Sequence, residues 1–428
     1  MKNNNAHPYR LTTLSCFVGI FVQAIACNQL AVLFLPLMRL YGLRYAHLGF
    51  LVGVNFVAQV FSDLIFSRLI DRIGFKRLVL PANIGSLLGL LLLALAPVLF
   101  DNILYGLLLA TIVFAISSGL LEVLLSPIIS AIPADNKGPA MSLMHSFYAW
   151  GQVVTIVGTT LLLFLWGEDK WQWIVLLWCV IPLVNFVMFL CSKFPPMVGE
   201  GQGVGFRSLK RRPFFWLALL AILFGGATEV TMNQWASTFM ESGLALPKLA
   251  GDLIGMCGFS VLLGLSRAIY GLWGEKLKLG RILLWGSLLG AVCYLTVALS
   301  PVTAVSVAGC VLCGLASGLL WPGTIVLAAD RYPMAGGWMF ALLAAAGDIG
   351  ASSGPWLTGL VIDGTQSSRI LSFLGKMLPN SGDQNAMRLG LCIAAVFPVL
   401  SFICHFILNK LTKNPEPPLN KRVQENQS

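Results

Sequence analysis

The sequence predicts an all-α polytopic membrane protein with twelve transmembrane helices in two pseudo-symmetric six-helix bundles. Three observations lead there. Of 428 residues, 57% are hydrophobic and only 11% charged, with a mean hydropathy of +0.82. A water-soluble domain cannot hide that much apolar surface. The apolar residues also gather into twelve helix-length runs. Finally, the last six runs repeat short motifs of the first six in the same order.

The first six runs lie near 11–38, 46–67, 78–98, 102–131, 139–166 and 172–192. Each is long enough to cross a hydrocarbon core, which takes about 20 helical residues. The first is too long for the apolar core of a secretory leader and no small-residue cleavage site follows it, so it reads as a retained helix. The stretch 193–212 is polar and rich in Gly and Pro, and it carries Lys210-Arg211-Arg212. It reads as a cytoplasmic linker. The second six runs lie near 213–240, 248–272, 281–299, 302–329, 336–362 and 387–409. The expected organisation is an N-terminal bundle over 1–192, a linker over 193–212, a C-terminal bundle over 213–410 and a cytoplasmic tail over 411–428.

Lys and Arg set the expected orientation. With the N-terminus inside, the cytoplasmic segments hold nearly three times as many as the outer ones. Arg68, Arg72, Lys76, Arg77 and the linker cations fall inside; Arg39, Arg44, Lys170, Lys248, Arg369, Lys376 and Arg388 fall outside. Both termini are therefore expected in the cytoplasm and the chain in the cell membrane. The net charge of +10 sits in short loops and forms no stripe, which argues against nucleic acid as a partner. The ten Cys fall almost entirely within apolar runs, and Cys310-x-x-Cys313 has no second pair or His beside it, so neither metal nor redox chemistry is expected.

The internal repeat is specific. Asn28-Gln29-x-Ala31-x-x-Phe34 returns as Asn233-Gln234-x-Ala236-x-x-Phe239, and Gly49-x-x-x-Gly53 as Gly251-x-x-x-Gly255. Gly85…Gly89 returns as Gly286…Gly290, and Gly151…Gly158 as Gly347…Gly354. Ser118-Gly119-Leu120-Leu121 is followed by Glu122, whereas its copy Ser317-Gly318-Leu319-Leu320 is followed by Trp321. One half keeps a protonatable group where the other keeps an aromatic plate. Parallel six-helix repeats with small residues at close crossings are the architecture of rocking carriers.

After the second run, Ser67-Arg68-Leu69-Ile70-Asp71-Arg72-Ile73-Gly74-Phe75-Lys76-Arg77 resembles the signature loop of the major facilitator superfamily, with Asp71, Arg72, Gly74 and Lys76 in place. A degenerate copy, Gly271-x-x-x-Glu275-Lys276, occupies the matching loop of the second half. Carboxylates and cations at helix ends can form ion pairs that exist in one conformation and break in another. Within that superfamily, Gly119-x-x-Glu122-x-x-x-Ser126-Pro127, Ser146-Phe147…Gly151 and Gly226-Ala227-x-Glu229…Trp235 resemble the fucose permease group. That resemblance implies a proton-linked Glu122 in a central cavity. The Asp that the group often carries on its first helix is replaced here by an apolar position near Val32.

The residues support a site without the family. An ionisable side chain at mid-bilayer costs several kcal/mol and by default marks function. At 1.5 Å per residue, Glu122 lies about 13 Å and His145 about 9 Å from the cytoplasmic ends of adjacent antiparallel helices, so they can meet. His145, Tyr148, Gln152, Thr155 and Thr159 share one helix face. Glu229 and Asp348 are the other deep carboxylates, and with Glu122 and His145 they form the expected proton-coupling set. Gln23, Asn28, Gln29, Gln152, Asn233 and Gln234 offer amides to hydroxyl groups, while Trp235 and Trp321 offer indoles to a ring face. The alternative for the amides is hydrogen bonding between helices, and for the indoles ordinary packing. Asn55, Gln59 and Asp63 form a stripe on the second helix. Arg267 is expected to pair with Asp348 or Asp63 as a gate, or else to snorkel.

These features point to a secondary transporter that moves a small polar, sugar-like solute by alternating access as a proton symporter, Na⁺ being the other coupling ion considered. Alternatives are a proton-driven multidrug efflux antiporter and a transport-inactive receptor on the same scaffold. His7, His47, His145 and His405 are scattered, so an enzyme is not expected. No cofactor is expected, and the absence of a nucleotide-binding glycine loop argues against ATP as the energy source. The partners are the solute, the coupling ion and the lipid bilayer, with the chain acting as a monomer.

Overall fold

The structure, a computed structural model, describes residues 8–132, 138–195, 209–210, 212–274, 277–332, 337–378 and 383–413. Among these, twelve helical segments are long enough to span a bilayer. The first six are α1 (Arg10–Val32), α2 (Tyr45–Ile73), α3 (Phe75–Leu99), α4 (Ile103–Ala131), α5 (Gly138–Trp166) and α6 (Glu168–Cys191). The second set is α7 (Pro213–Gly243), α8 (Lys248–Trp273), α9 (Leu279–Leu299), α10 (Thr303–Arg331) and α11 (Gly337–Ser367). A short helix α12 (Arg369–Lys376) then precedes the last span, α13 (Gln384–Thr412). The face carrying the start of α1 is called the N-face below, and the opposite one the far face.

Local chemistry sets the ends. Asn102 caps α4, its side-chain oxygen accepting from Leu104 N at 3.0 Å. Pro213 opens α7, where the missing N–H is no loss. Gly42 (φ +65°) ends the segment Phe34–Tyr41 that continues α1, and Gly74 (φ +88°) makes the tight link between α2 and α3. The facing ends of α7 and α8, Phe239–Gly243 and Gly251–Cys257, wind more widely as π-helix.

In each half the spans pack as repeated neighbours: α3 on α4, α2 on α4 and α1 on α5, then α9 on α10 and α13, and α8 on α10. The halves meet through α2 against α11, α5 against α8 and α1 against α7. Large apolar side chains such as Phe164 (67% exposed) and Trp285 (63% exposed) point outward, as a lipid-facing surface requires. Eleven of the spans are apolar enough to be recognised by composition; α11 is the exception. Its centre, 347–355, consists of Gly, Asp, Ser and Pro apart from Ile349 and Ala351, and the helix is wedged between α2 and α7. Protein covers it, so lipid does not have to.

Two expectations change. Between the last two apolar runs the sequence predicts a long outer loop over 363–388 with no motif, but α11 runs on to Ser367, and α12 and the start of α13 take up much of the rest. Arg388 is no loop cation: it is 1% exposed inside α13 and donates through one nitrogen to the Val297, Ala298 and Ser300 carbonyls. It satisfies the open carbonyl end of α9, where a cation is favoured.

Candidate functional site

Where the bundles meet at mid-depth, the repeat brings matching amides together. Asn233 Nδ2 donates to Asn28 Oδ1 at 2.9 Å, and Gln152 Nε2 donates to the same oxygen at 3.3 Å. Gln234 Nε2 donates to Cys27 O at 3.1 Å, while Gln29 Oε1 accepts from Thr159 at 3.1 Å. In this conformation the amides hold α1, α5 and α7 to one another. Gln29 Nε2, Gln152 Oε1, Asn233 Oδ1 and Gln234 Oε1 are nevertheless buried with no protein partner. An unpartnered buried polar atom costs about 1–3 kcal/mol, so these four atoms are a strained feature of this conformation.

Toward the N-face lies the charged part. Glu122 accepts from Gln23 Nε2 at 2.6 Å and is partly exposed, although Leu121 and Leu124 beside it are fully buried. Across the interface, Arg267 Nη2 lies 2.8 Å from Glu229 Oε1, and its Nε donates to Gly318 O at 2.9 Å. Arg267 therefore pairs with neither Asp348 nor Asp63: within α8's reach, Glu229 on α7 presents the nearer carboxylate. Tyr148 on α5 lies within electrostatic reach of both Glu122 and Glu229. Asp63 on α2 and Asp348 on α11 lie within electrostatic reach of Glu122, and each keeps one oxygen without a hydrogen-bond partner. Asp63 packs against Gly119, where a Cβ would fall 3.0 Å from its Oδ1. This crossing sets Asp63 one turn from Glu122.

The two indoles differ. Trp321 is half-buried over Gly226 and Gly347, and a Cβ at Gly347 would lie 2.5 Å from its ring. Only glycine lets α11 approach that plate. Trp235 is fully buried against Phe34 and Tyr45, with its N–H donating to Pro355 O at 3.1 Å. It serves here as packing between the bundles and offers no open face. Of the loop residues, Gly74 forms the link described above, and Lys76 Nζ donates to Leu190 O at 3.1 Å within its own bundle. The Asp71, Arg72 and His145 side chains and the Glu275-Lys276 copy lie outside the described residues.

Sequence reasoning missed a polar group at the far face. Asp252 is fully buried on α8 and bound by Ser237, by Thr160 Oγ1 at 2.8 Å and by Lys248 Nζ at 3.0 Å. Lys248 also donates to Val32 O at 2.9 Å. Two of these contacts, Thr160–Asp252 and Lys248–Val32, join the bundles. Arg39 adds another by pairing with both Glu168 and Glu241, and Ala46 N donates to Asp363 Oδ2 at 2.7 Å. The i, i+4 spacing of Lys248 and Asp252 at a helix start was a visible signal.

Solved structures share this arrangement at low identity. A bacterial homologue of the human lysosomal transporter Spinster, in an inward-facing and occupied conformation, aligns with a TM-score of 0.73 and 15% identity over 96% of this chain and 99% of its own. The xylose transporter XylE from E. coli, partially occluded and inward open, gives 0.70 and 13% over 92% and 97%. The E. coli fucose:proton symporter FucP gives 0.60 and 14% over 94% and 99%. At these identities the likeness is one of fold. No curated protein sequence matches the chain. The family model of the Major Facilitator Superfamily matches residues 16–355. Two repeated bundles carry that match across most of the sequence, and the chain belongs to the major facilitator superfamily.

Proposed function

We propose that the chain is a proton-coupled symporter of a small hydroxylated, sugar-like solute, working by alternating access in the cell membrane with both termini in the cytoplasm. The observation that carries this reading is the contrast between two deep carboxylates. Glu229 has a cation, Arg267, at 2.8 Å, whereas among the described residues Glu122 has only the neutral Gln23, at 2.6 Å. The Glu229–Arg267 pair balances its own charge through any movement. Glu122 must be neutralised by something that comes and goes, and a proton is the smallest such partner. A bare charge carried through a closing, water-poor interface costs several kcal/mol. The loaded carrier therefore turns with Glu122 protonated, and it releases the proton where the site meets water again.

The solute class rests on the unpartnered amide atoms and on Trp321. Hydroxyl groups satisfy such atoms, and a ring face rests on an indole. The named activities of the fucose:proton and xylose:proton symporters agree with this reading. With the far-face contacts formed, the site is taken to communicate with the N-face, so this form corresponds to an inward-facing carrier.

The test is transport in proteoliposomes. Thermal stabilisation across sugars, polyols and lipophilic cations first selects a solute, and stabilisation by lipophilic cations alone would replace symport with efflux. Glu122→Gln is then expected to keep solute counterflow while losing accumulation driven by a proton gradient. Retention of both at parental rates would remove Glu122 from the coupling role.

A further inference from the structure

Helix α12 presents three distinct sides. Ser368 caps its start, accepting from Leu371 N at 3.5 Å. One side rests on protein: Leu371 reaches the surface of Gly364 on α11, and Gly375 lies against Asn385 on α13. The second side carries Ile370, Phe373, Leu374 and Met377 at the i, i+3, i+4, i+7 spacing of one helix face. Ile370 is 72%, Phe373 65% and Met377 71% exposed. The third side carries Arg369, Ser372 and Lys376. Between it and the end of α11 lies a cavity of about 290 Å³, wide open to the outside, lined by Gln366, Ser368, Arg369, Ser372, Phe373 and Lys376. Among the described residues neither Arg369 nor Lys376 makes an ion pair.

We propose that α12 lies in the bilayer interface at the far face and that this cavity holds the headgroup of an anionic phospholipid, with the acyl chains running along Ile370, Phe373 and Met377. Two unpaired cations and two serine hydroxyls provide positive charge and donors suited to a phosphodiester. Phe373 belongs to both the cavity lining and the apolar side, so a headgroup in the cavity has its chains beside an apolar strip. The helix joins the ends of two spanning helices, which puts its exposed apolar side at the depth where acyl chains begin. An amphipathic helix with basic residues at its polar edge binds such an interface through both terms.

The experiment uses the full chain in mixed phosphatidylglycerol and phosphatidylcholine nanodiscs, followed by native mass spectrometry of the lipids retained on extraction. The parent is expected to retain phosphatidylglycerol in preference to phosphatidylcholine. Arg369→Gln/Lys376→Gln is expected to lower that preference about thirty-fold, a factor of about five for each cation near an anionic surface. An unchanged preference would overturn the proposal. Displacement of the lipid by millimolar inorganic phosphate would also overturn it, assigning the cavity to a free anion. Independently of these variants, spin labels at Ile370→Cys and Lys376→Cys, with exposed Cys191 replaced by Ser, report depth. Ile370 is expected to collide with dissolved oxygen and Lys376 with an aqueous nickel chelate; aqueous access at both positions would put α12 outside the bilayer.

Discussion

Thr160→Val is the sharpest probe of the far-face contacts. Thr160 on α5 donates to Asp252 on α8 at 2.8 Å, and this bond must break when the two bundles part at that face. Asp252 keeps Ser237 and Lys248, both on its own side of the interface, so the carboxylate stays paired in either state. The substitution therefore weakens closure and leaves the fold intact. A hydrogen bond to a charged acceptor contributes about 1.5–3 kcal/mol net. Taking about 2 kcal/mol, and tenfold per 1.4 kcal/mol, the ratio of far-open to far-closed molecules rises about thirty-fold. Pulsed dipolar spectroscopy can read that ratio between spin labels at exposed Lys170 and Val302, which sit at the far face of opposite bundles. The expected result is a new long-distance population, enlarged further by adding Arg39→Gln, which also cuts the tie to Glu241. If the single and double variants both superimpose on the parent, these contacts do not hold the far face shut.

Two further substitutions test the centre. Arg267→Met leaves Glu229 alone with its side chain 8% exposed, and breaking a buried pair costs about 3–5 kcal/mol. Because Arg267 is itself 18% exposed, a loss near the lower figure is expected, mostly recovered in Arg267→Met/Glu229→Gln. A thiol-reactive dye that reports exposure of the buried cysteines on heating, with exposed Cys191 replaced by Ser, gives the measurement. Gly347→Ala places a methyl 2.5 Å from the Trp321 ring. It is expected to cost about 1–3 kcal/mol of stability and to weaken solute binding by displacing the indole. Gly347→Ala/Trp321→Ala should regain the stability but not the binding, and an unchanged solute Kd in Gly347→Ala would dismiss Trp321 as a contact.

The fold was legible because lipid imposes a strong rule. A span must satisfy its own backbone and, where lipid touches it, show apolar side chains, so hydropathy locates most of the helices, while α11, covered by protein, is the weakest signal. The repeat then paired the halves, and Asn28 bonding directly to Asn233 is that repeat realised in three dimensions. The site was legible in its residue types and less so in its partners. Periodicity gives a residue's depth and face, but which cation meets which carboxylate depends on helix rotation and crossing. For that reason Arg267 was matched with Asp348 or Asp63 instead of Glu229. Lys248 and Arg388 count among the outer cations by sequence, but side-chain length lets a cation begin near a helix end and finish against a carbonyl or carboxylate inside the protein. Trp235 offers a plate for solute by sequence, which cannot show that the indole is fully buried with Phe34 and Tyr45 packed against it.

The wedged position of α11 bears on how the polypeptide is made. A segment whose centre is glycine, serine and aspartate gains little by leaving the insertion machinery for lipid on its own. Its stability in the membrane comes from α2 and α7, both synthesised earlier, which offer it a protein-lined slot. Biogenesis of the second half is thus expected to be ordered. The late, weakly apolar helix waits on a docking surface shared by the two bundles, and membrane integration and tertiary assembly become a single event at that step.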